Sequence, residues 1–189
     1  MANFTERAII ETLNELLKVH TIDKITVKDL TDACGISRNT FYYHYHDIYD
    51  LLTQVFLDEK ILGNANIQNL DDIIEAVWKY YKENETFVSA TLSSAGKDLF
   101  AEYVYNSFYT ASMKLVSHLD SEKKLPINTR KNIARFYASG YSNSVVYYLS
   151  NYKSKSLEGL KSCFSFLTNI NIEKSVQKAI KLLENDKKL

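Results

Sequence analysis

Apolar residues return every three or four positions along almost the whole chain, a spacing that points to a fold built of α-helices. Ile9, Leu13, Leu16 and Leu17 form one stripe. Leu70, Ile73, Ile74, Val77, Trp78 and Tyr81 form a second, and Phe100, Val104, Phe108, Ala111 and Leu115 a third. A stripe of this kind is buried by packing one helix on another. With 5 glycines and 1 proline in 189 residues, the chain lacks the turn residues a strand-rich fold needs. Its 46% hydrophobic content is enough for a core. The expected fold is all-α, helices packed on helices.

Capping residues divide the pattern into elements. Asn3 with Glu6 starts the first helix. Thr26 with Asp29 starts the second, whose inward positions are Val27, Leu30 and Ala33. Gly35 ends it, because glycine enters positive φ without steric penalty. Ser37 caps a short third helix, and Asp47 a fourth, which serves as connector over 47–62. The polar stretch GNANIQN, 63–69, reads as a hinge. Further helices are expected near Thr86 to Ser94, through Phe100 to Leu115, from Thr129 to Asn151, and over Leu157 to Phe166 and Ile172 to Leu183, with a loop around Pro126.

Several functions are excluded. There is no glycine-rich phosphate loop and no Cys–His or Ser–His–Asp order in a recognisable context, so no catalytic residue is assigned and no enzyme is expected. Asp71 and Asp72 read as charge at a helix start. Cys34 and Cys163 are far apart, which argues against a disulfide scaffold or a zinc site. His44 and His46 stand two apart and so on different helix faces, a poor metal pair. No cofactor or metal is expected. No run approaches the roughly 20 apolar residues of a membrane span, and MANFTERAIIETL lacks a basic region followed by an apolar block. The expectation is a reduced, cytoplasmic protein without a membrane partner.

The informative segment is ITVKDLTDACGISRNTFYYHYHDIYDLL, Ile25 to Leu52. Two short helices around a tight turn at Cys34-Gly35-Ile36 form a helix-turn-helix pattern. Val27, Leu30, Ala33, Ile36 and Phe41 can hold the two helices together. Arg38, Asn39, Thr40, Tyr42, Tyr43 and His44 are left to face outward or sideways. A helix of this kind fits the DNA major groove, where Arg pairs with guanine and Asn with adenine. The charge pattern offers little general attraction for DNA. The net charge is zero, and the first 50 residues hold five cations (Arg7, Lys18, Lys24, Lys28, Arg38) against eight acids. From Gly35 to His46, however, there is no acid at all, so any DNA-binding charge is local.

The residues Thr26-Val27, Leu30, Ala33 to Ser37, Thr40-Phe41-Tyr42, His44-Tyr45, Asp47 and Leu51-Leu52 resemble the TetR-type (TetR/AcrR) transcriptional regulators over roughly residues 5 to 60. TFYYHYHDIYDLL is similar to the Gram-positive subgroup that includes the dihydroxyacetone-kinase regulator. The resemblance implies an all-α chain with a small N-terminal three-helix helix-turn-helix DNA-binding head over 1–50 and a larger C-terminal helical bundle over 51–189 that binds ligand and dimerises. It also implies that Ser37, Arg38, Asn39 and Tyr43 face bases, and that Thr26, Thr40, Tyr42 and His44 mostly touch phosphates. Many relatives have lysines where His46 and Ile48 stand here. The loss of both implies modest affinity that falls steeply with salt.

The body is rich in aromatic residues. Trp78, Tyr81, Tyr103 and Tyr141 are the candidates to line a pocket for an unknown small-molecule effector of mixed polarity. A tyrosine-filled core without ligand, and control by a protein partner, are the rival readings. FYASGYSNSVVYYL, Phe136 to Leu149, mixes small residues with large ones. With Leu157, Leu160, Phe164 and Leu167 it can form a four-helix homodimer interface. The expected function is a homodimeric repressor on a near-palindromic operator, because a helix-turn-helix protein usually reads two half-sites.

Overall fold

In the structure, a computed structural model describing residues 4–58, 69–165 and 172–186, every regular element among the described residues is helical. The elements are α1 (Phe4–Leu17), a 3-10 turn (Ile22–Lys24), α2 (Val27–Cys34), α3 (Arg38–His44), α4 (Ile48–Asp58), α5 (Leu70–Glu83), α6 (Glu85–Leu92), α7 (Lys97–Leu119), α8 (Ile127–Asn151), α9 (Leu157–Ser162) and α10 (Ile172–Asp186). The caps act where the sequence places them. Thr26 Oγ1 accepts from Asp29 N, and Asp29 Oδ2 accepts from Thr26 N at 3.0 Å, a reciprocal box that satisfies two otherwise orphaned donors. Gly35 stands at φ 72°, with its N–H bonded to Thr31 O. Asp47 Oδ1 accepts from Asp50 N at 2.8 Å to start α4, and Asn69 Oδ1 accepts from Asp72 N at 3.1 Å to start α5. Of the proposed hinge at 63–69 only Asn69 is described. Asn3, Leu167, Phe166 and positions 59–62 of the connector also lie outside the described residues.

The chain divides into two compact units. One comprises the described residues of Met1–Lys60 and Tyr80–Tyr103, the other those of Ile61–Lys79 and Val104–Leu189. In the first, α1 packs on α2 and α6, and α2 on α3. Its core holds Ile9, Leu13, Leu30, Phe41, Leu51, Leu52 and Phe56, and the Phe56 ring meets Phe87, Phe100 and Tyr103. The inward face of α2 differs from the expected one: Ala33 is exposed and Thr31 is buried. On a 3.6-residue helix, Val27, Leu30, Thr31 and Cys34 share a side, and Ala33 falls a third of a turn away. Thr31 is tolerated inside because its hydroxyl donates to Lys28 O.

The second unit packs α8 on α10. Tyr137 and Ser175 share a hydrogen bond at 2.9 Å, and Tyr141 stacks on Phe164 at 4.7 Å between ring centres. Leu160 and Phe164, expected at a subunit interface, are buried inside this unit instead. A helix paired within its own chain uses its large apolar residues there.

A further link in the first unit joins segments distant in sequence. Asp23 Oδ1 accepts from the Tyr49 hydroxyl at 2.6 Å and from Ala95 N at 3.2 Å. The Tyr49 phenol is pushed from the ordinary 10 up to about 12, first by the Asp23 hydrogen bond and then by burial. A raised phenol favours the neutral form in the fold. The contribution is therefore complete below pH 10 and is lost as pH rises through about 12. Tyr49→Phe is expected to lower stability by about 1 kcal/mol at neutral pH. In thermal melts, its deficit against the parent should shrink across that alkaline window. A deficit independent of pH would assign the loss to packing instead.

Candidate nucleic-acid interface

Ser37 opens α3 in extended conformation, and its Oγ accepts from Thr40 N at 3.0 Å and shares a second hydrogen bond with Thr40 Oγ1 at 2.8 Å. The cap fixes where the helix begins. Phe41 and Tyr45 fix its rotation: both are buried, and their rings meet at 5.6 Å. With those two inward, the rest of the helix is committed to the opposite side. Arg38 and Asn39 are exposed, Tyr42 is 54% exposed and Tyr43 85%. Two large aromatic rings left in water on one face of a two-turn helix are not explained by the chain's own core.

The polar chemistry of this face is varied. Arg38 supplies the fork of donors suited to guanine or phosphate, Asn39 a donor and an acceptor, and the two tyrosines hydroxyls on flat apolar bodies. Ser37 is exposed and Thr40 half-buried, and their hydroxyls are already engaged in the cap. Thr26 is exposed, but its hydroxyl donates to Asp29 Oδ2 at 2.6 Å. This bond, with that from the Thr26 backbone, holds the Asp29 carboxyl below its ordinary value. Nearby acids are likewise occupied. Asp50 accepts from His46 N at 2.9 Å, Asp47 caps α4, and Asp23 holds Tyr49. Ile48 is buried.

His44 stands apart from the other expected contacts. Its side chain is 11% exposed, and Nδ1 lies 3.3 Å from Glu6 Oε1 on α1. Tyr43 meets the ring edge-on at 5.1 Å. Glu6 entered the sequence reading only as a capping residue. No local pattern links positions so far apart in the chain, so its proximity to α3 comes from tertiary packing alone.

The four expected pocket residues do not belong to one unit: Tyr81 and Tyr103 fall in the first, Trp78 and Tyr141 in the second. Tyr81 is buried and donates to Glu85 Oε1 at 3.1 Å, and its phenol is raised above its ordinary value chiefly by burial. Tyr103 stacks on Phe56 at 5.2 Å, and Trp78 is half-buried. Tyr141 lines an open groove of about 610 Å³ on α8 with Arg135, Phe136, Tyr137, Ser139, Gly140 and Asn143. Burial raises its phenol too, with Asp71 and Tyr137 adding to the effect.

Two short helices locked through a left-handed glycine, the second turning a polar-aromatic face outward, are a helix-turn-helix DNA-binding module, here attached to a helical body. Residues 9–55 match the family described as bacterial regulatory proteins, tetR family, and residues 68–170 match the transcriptional regulator C-terminal region. The chain belongs to the TetR family of transcriptional regulators. No curated protein matches the sequence. Among solved structures it is similar to the dihydroxyacetone kinase operon activator DhaS, with 19% identity over 95% of this chain and 97% of that one and a TM-score of 0.60. It is also similar to the TetR family repressor AlkX from Dietzia sp. strain DQ12-45-1b, implicated in n-alkane biodegradation, with 18% identity over 93% and 96% and a TM-score of 0.52. No helix among the described residues is long and apolar enough to cross a membrane.

Proposed function

We propose that this regulator is a homodimer that represses by occupying a near-palindromic operator, and that an effector bound in its body releases it. The observation that carries the DNA reading is the α3 face: Arg38, Asn39, Tyr42 and Tyr43 are exposed together, and Phe41 anchors the helix from behind. Ser37, Arg38, Asn39 and Tyr43 are assigned to bases, and Thr26, Thr40, Tyr42 and His44 to phosphates. Asn39→Ala or Tyr43→Ala is expected to weaken binding to a selected operator by about 1–3 kcal/mol, with thermal stability unchanged. Binding by the parent should weaken by orders of magnitude as salt rises. Gel shifts and anisotropy titrations read both effects. Unchanged affinity in both variants would move the recognition surface off α3.

Dimerisation is assigned to the outer face of α8. Phe136 is 68% exposed and Tyr147 63%, and Gly140 lies between them in helical register. Among the described residues a Cβ built on Gly140 meets nothing within 4 Å, so no described neighbour calls for the small residue there. A second helix crossing at that point would.

A second reading keeps the DNA-binding head and replaces the small ligand with a protein partner. It is favoured by the pairing already present around three of the pocket candidates: Tyr81 with Glu85, Tyr103 with Phe56 and Tyr141 with Phe164. A thermal-shift screen of small aromatic and mixed-polarity compounds separates the two. A stabilising compound that also releases operator supports the effector; a protein needed for release supports the partner.

A further inference from the structure

One carboxylate gathers three segments of the first unit. Asp23, in the 3-10 turn that leads into α2, accepts at a single oxygen from two donors. One is the Tyr49 hydroxyl of α4 at 2.6 Å, and the other is Ala95 N, in the turn between α6 and α7, at 3.2 Å. The next residue of that turn makes a second, independent contact. Gly96 is buried, and a Cβ built on it would stand 2.8 Å from Leu52 Cδ2 of α4, 3.2 Å from Ser94 Oγ and 3.3 Å from Thr91 Cγ2. Its φ is not positive, so close approach to α4, and not backbone conformation, calls for glycine there. Leu52 is fully buried, which leaves its side chain little room to retreat. We propose that Asp23 and Gly96 are positioning residues for operator binding. They clamp the turn of residues 93–96 onto the 3-10 turn and α4, and the clamp fixes the attitude at which α3 meets DNA. This rests on the reading of the chain as a homodimer on an operator with two half-sites.

The clamped turn is itself well braced. Ser94 Oγ donates to Thr91 O at 2.8 Å and accepts from Gly96 N at 3.0 Å, and Lys97 N donates to Ser94 O at 3.2 Å as α7 begins. The DNA-facing side is braced as well. Thr26 caps α2 just after the 3-10 turn, α2 packs on α3, and Phe41 fixes the rotation of α3. No clamp residue lies on α3, so a change in the clamp leaves the recognition side chains in place. In a homodimer the two α3 faces must meet half-sites about one turn, roughly 34–36 Å, apart. Whatever joins the copies, looseness at the clamp spreads that distance. The expected effect is therefore on half-site spacing more than on base recognition.

The test uses the full chain and a duplex selected from a random library by the parent protein, with matched duplexes one base pair longer or shorter at the centre. One base pair moves a half-site by about 3.4 Å and turns it by about 35°. In anisotropy titrations the parent should prefer the selected spacing by about 10²-fold or more. Asp23→Ala and Gly96→Ala should each weaken binding to the selected duplex about five- to tenfold and cut the spacing preference to about tenfold or less. Asp23→Asn keeps an oxygen acceptor for both donors and should restore the parent's preference. Coupling is reciprocal, so operator should also slow hydrogen exchange at the Ala95 amide of the unsubstituted protein, a reading that needs no variant. Variants that lose affinity equally at every spacing, with the preference intact, would reduce the clamp to a contribution to stability and overturn the proposal. An Ala95 amide that exchanges equally fast with and without operator would overturn it too. A parent that selects no duplex, or shows no spacing preference, would instead overturn the reading of two half-sites and the proposal with it.

Discussion

Phe41→Ala is expected to abolish operator binding while Tyr43→Ala, two residues away, only weakens it. Phe41 is fully buried on a helix that packs on α2, with Tyr42 edge-on at 5.6 Å and Tyr45 at 5.6 Å. Removing a buried phenylalanine ring costs about 3–5 kcal/mol, from lost transfer energy plus the cavity left behind. Against a total of about 5–15 kcal/mol for a domain, that loss is a large part of the margin holding α3 in place. The melting transition should fall by many degrees, and hydrogen exchange should rise first in α2 and α3. Tyr43, exposed to water, should leave the melt within about 0.5 kcal/mol of the parent. If Phe41→Ala melts like the parent, α3 is held by something other than this ring, and the rotation assigned to the recognition face is wrong.

The second large effect concerns α8. Phe136→Glu with Tyr147→Glu should convert a dimer to a monomer in light scattering and lower operator affinity by about 10²- to 10⁴-fold, the gain that linking two modest half-site contacts provides. Burying two carboxylates in an apolar contact without partners is prohibitive. Gly140 supplies the control. With open space around its Cβ position, Gly140→Ala should leave the monomer fold intact and favour the helix by up to about 1 kcal/mol. Gly140→Arg should block association. A dimer that survives the double glutamate variant would place the interface elsewhere.

The sequence carried the helices, their caps and the placement of the helix-turn-helix, because those are set by contacts within four residues: Thr26 with Asp29, Ser37 with Thr40, and Gly35 alone through its φ. It also carried the polar-aromatic face of α3, since a two-turn helix anchored by Phe41 has one side left to show. What it misassigned followed from the shortness of α2, where few positions fix the phase, so Ala33 was placed inside and Thr31 was missed. Tertiary packing alone decided the rest. It buried Leu160 and Phe164 within one chain, divided Trp78 and Tyr141 from Tyr81 and Tyr103, and brought Glu6 to His44 and Asp23 to Tyr49. Each of these depends on where whole helices come to rest against one another, and periodicity along a chain specifies which face a helix buries but not which neighbour will cover it.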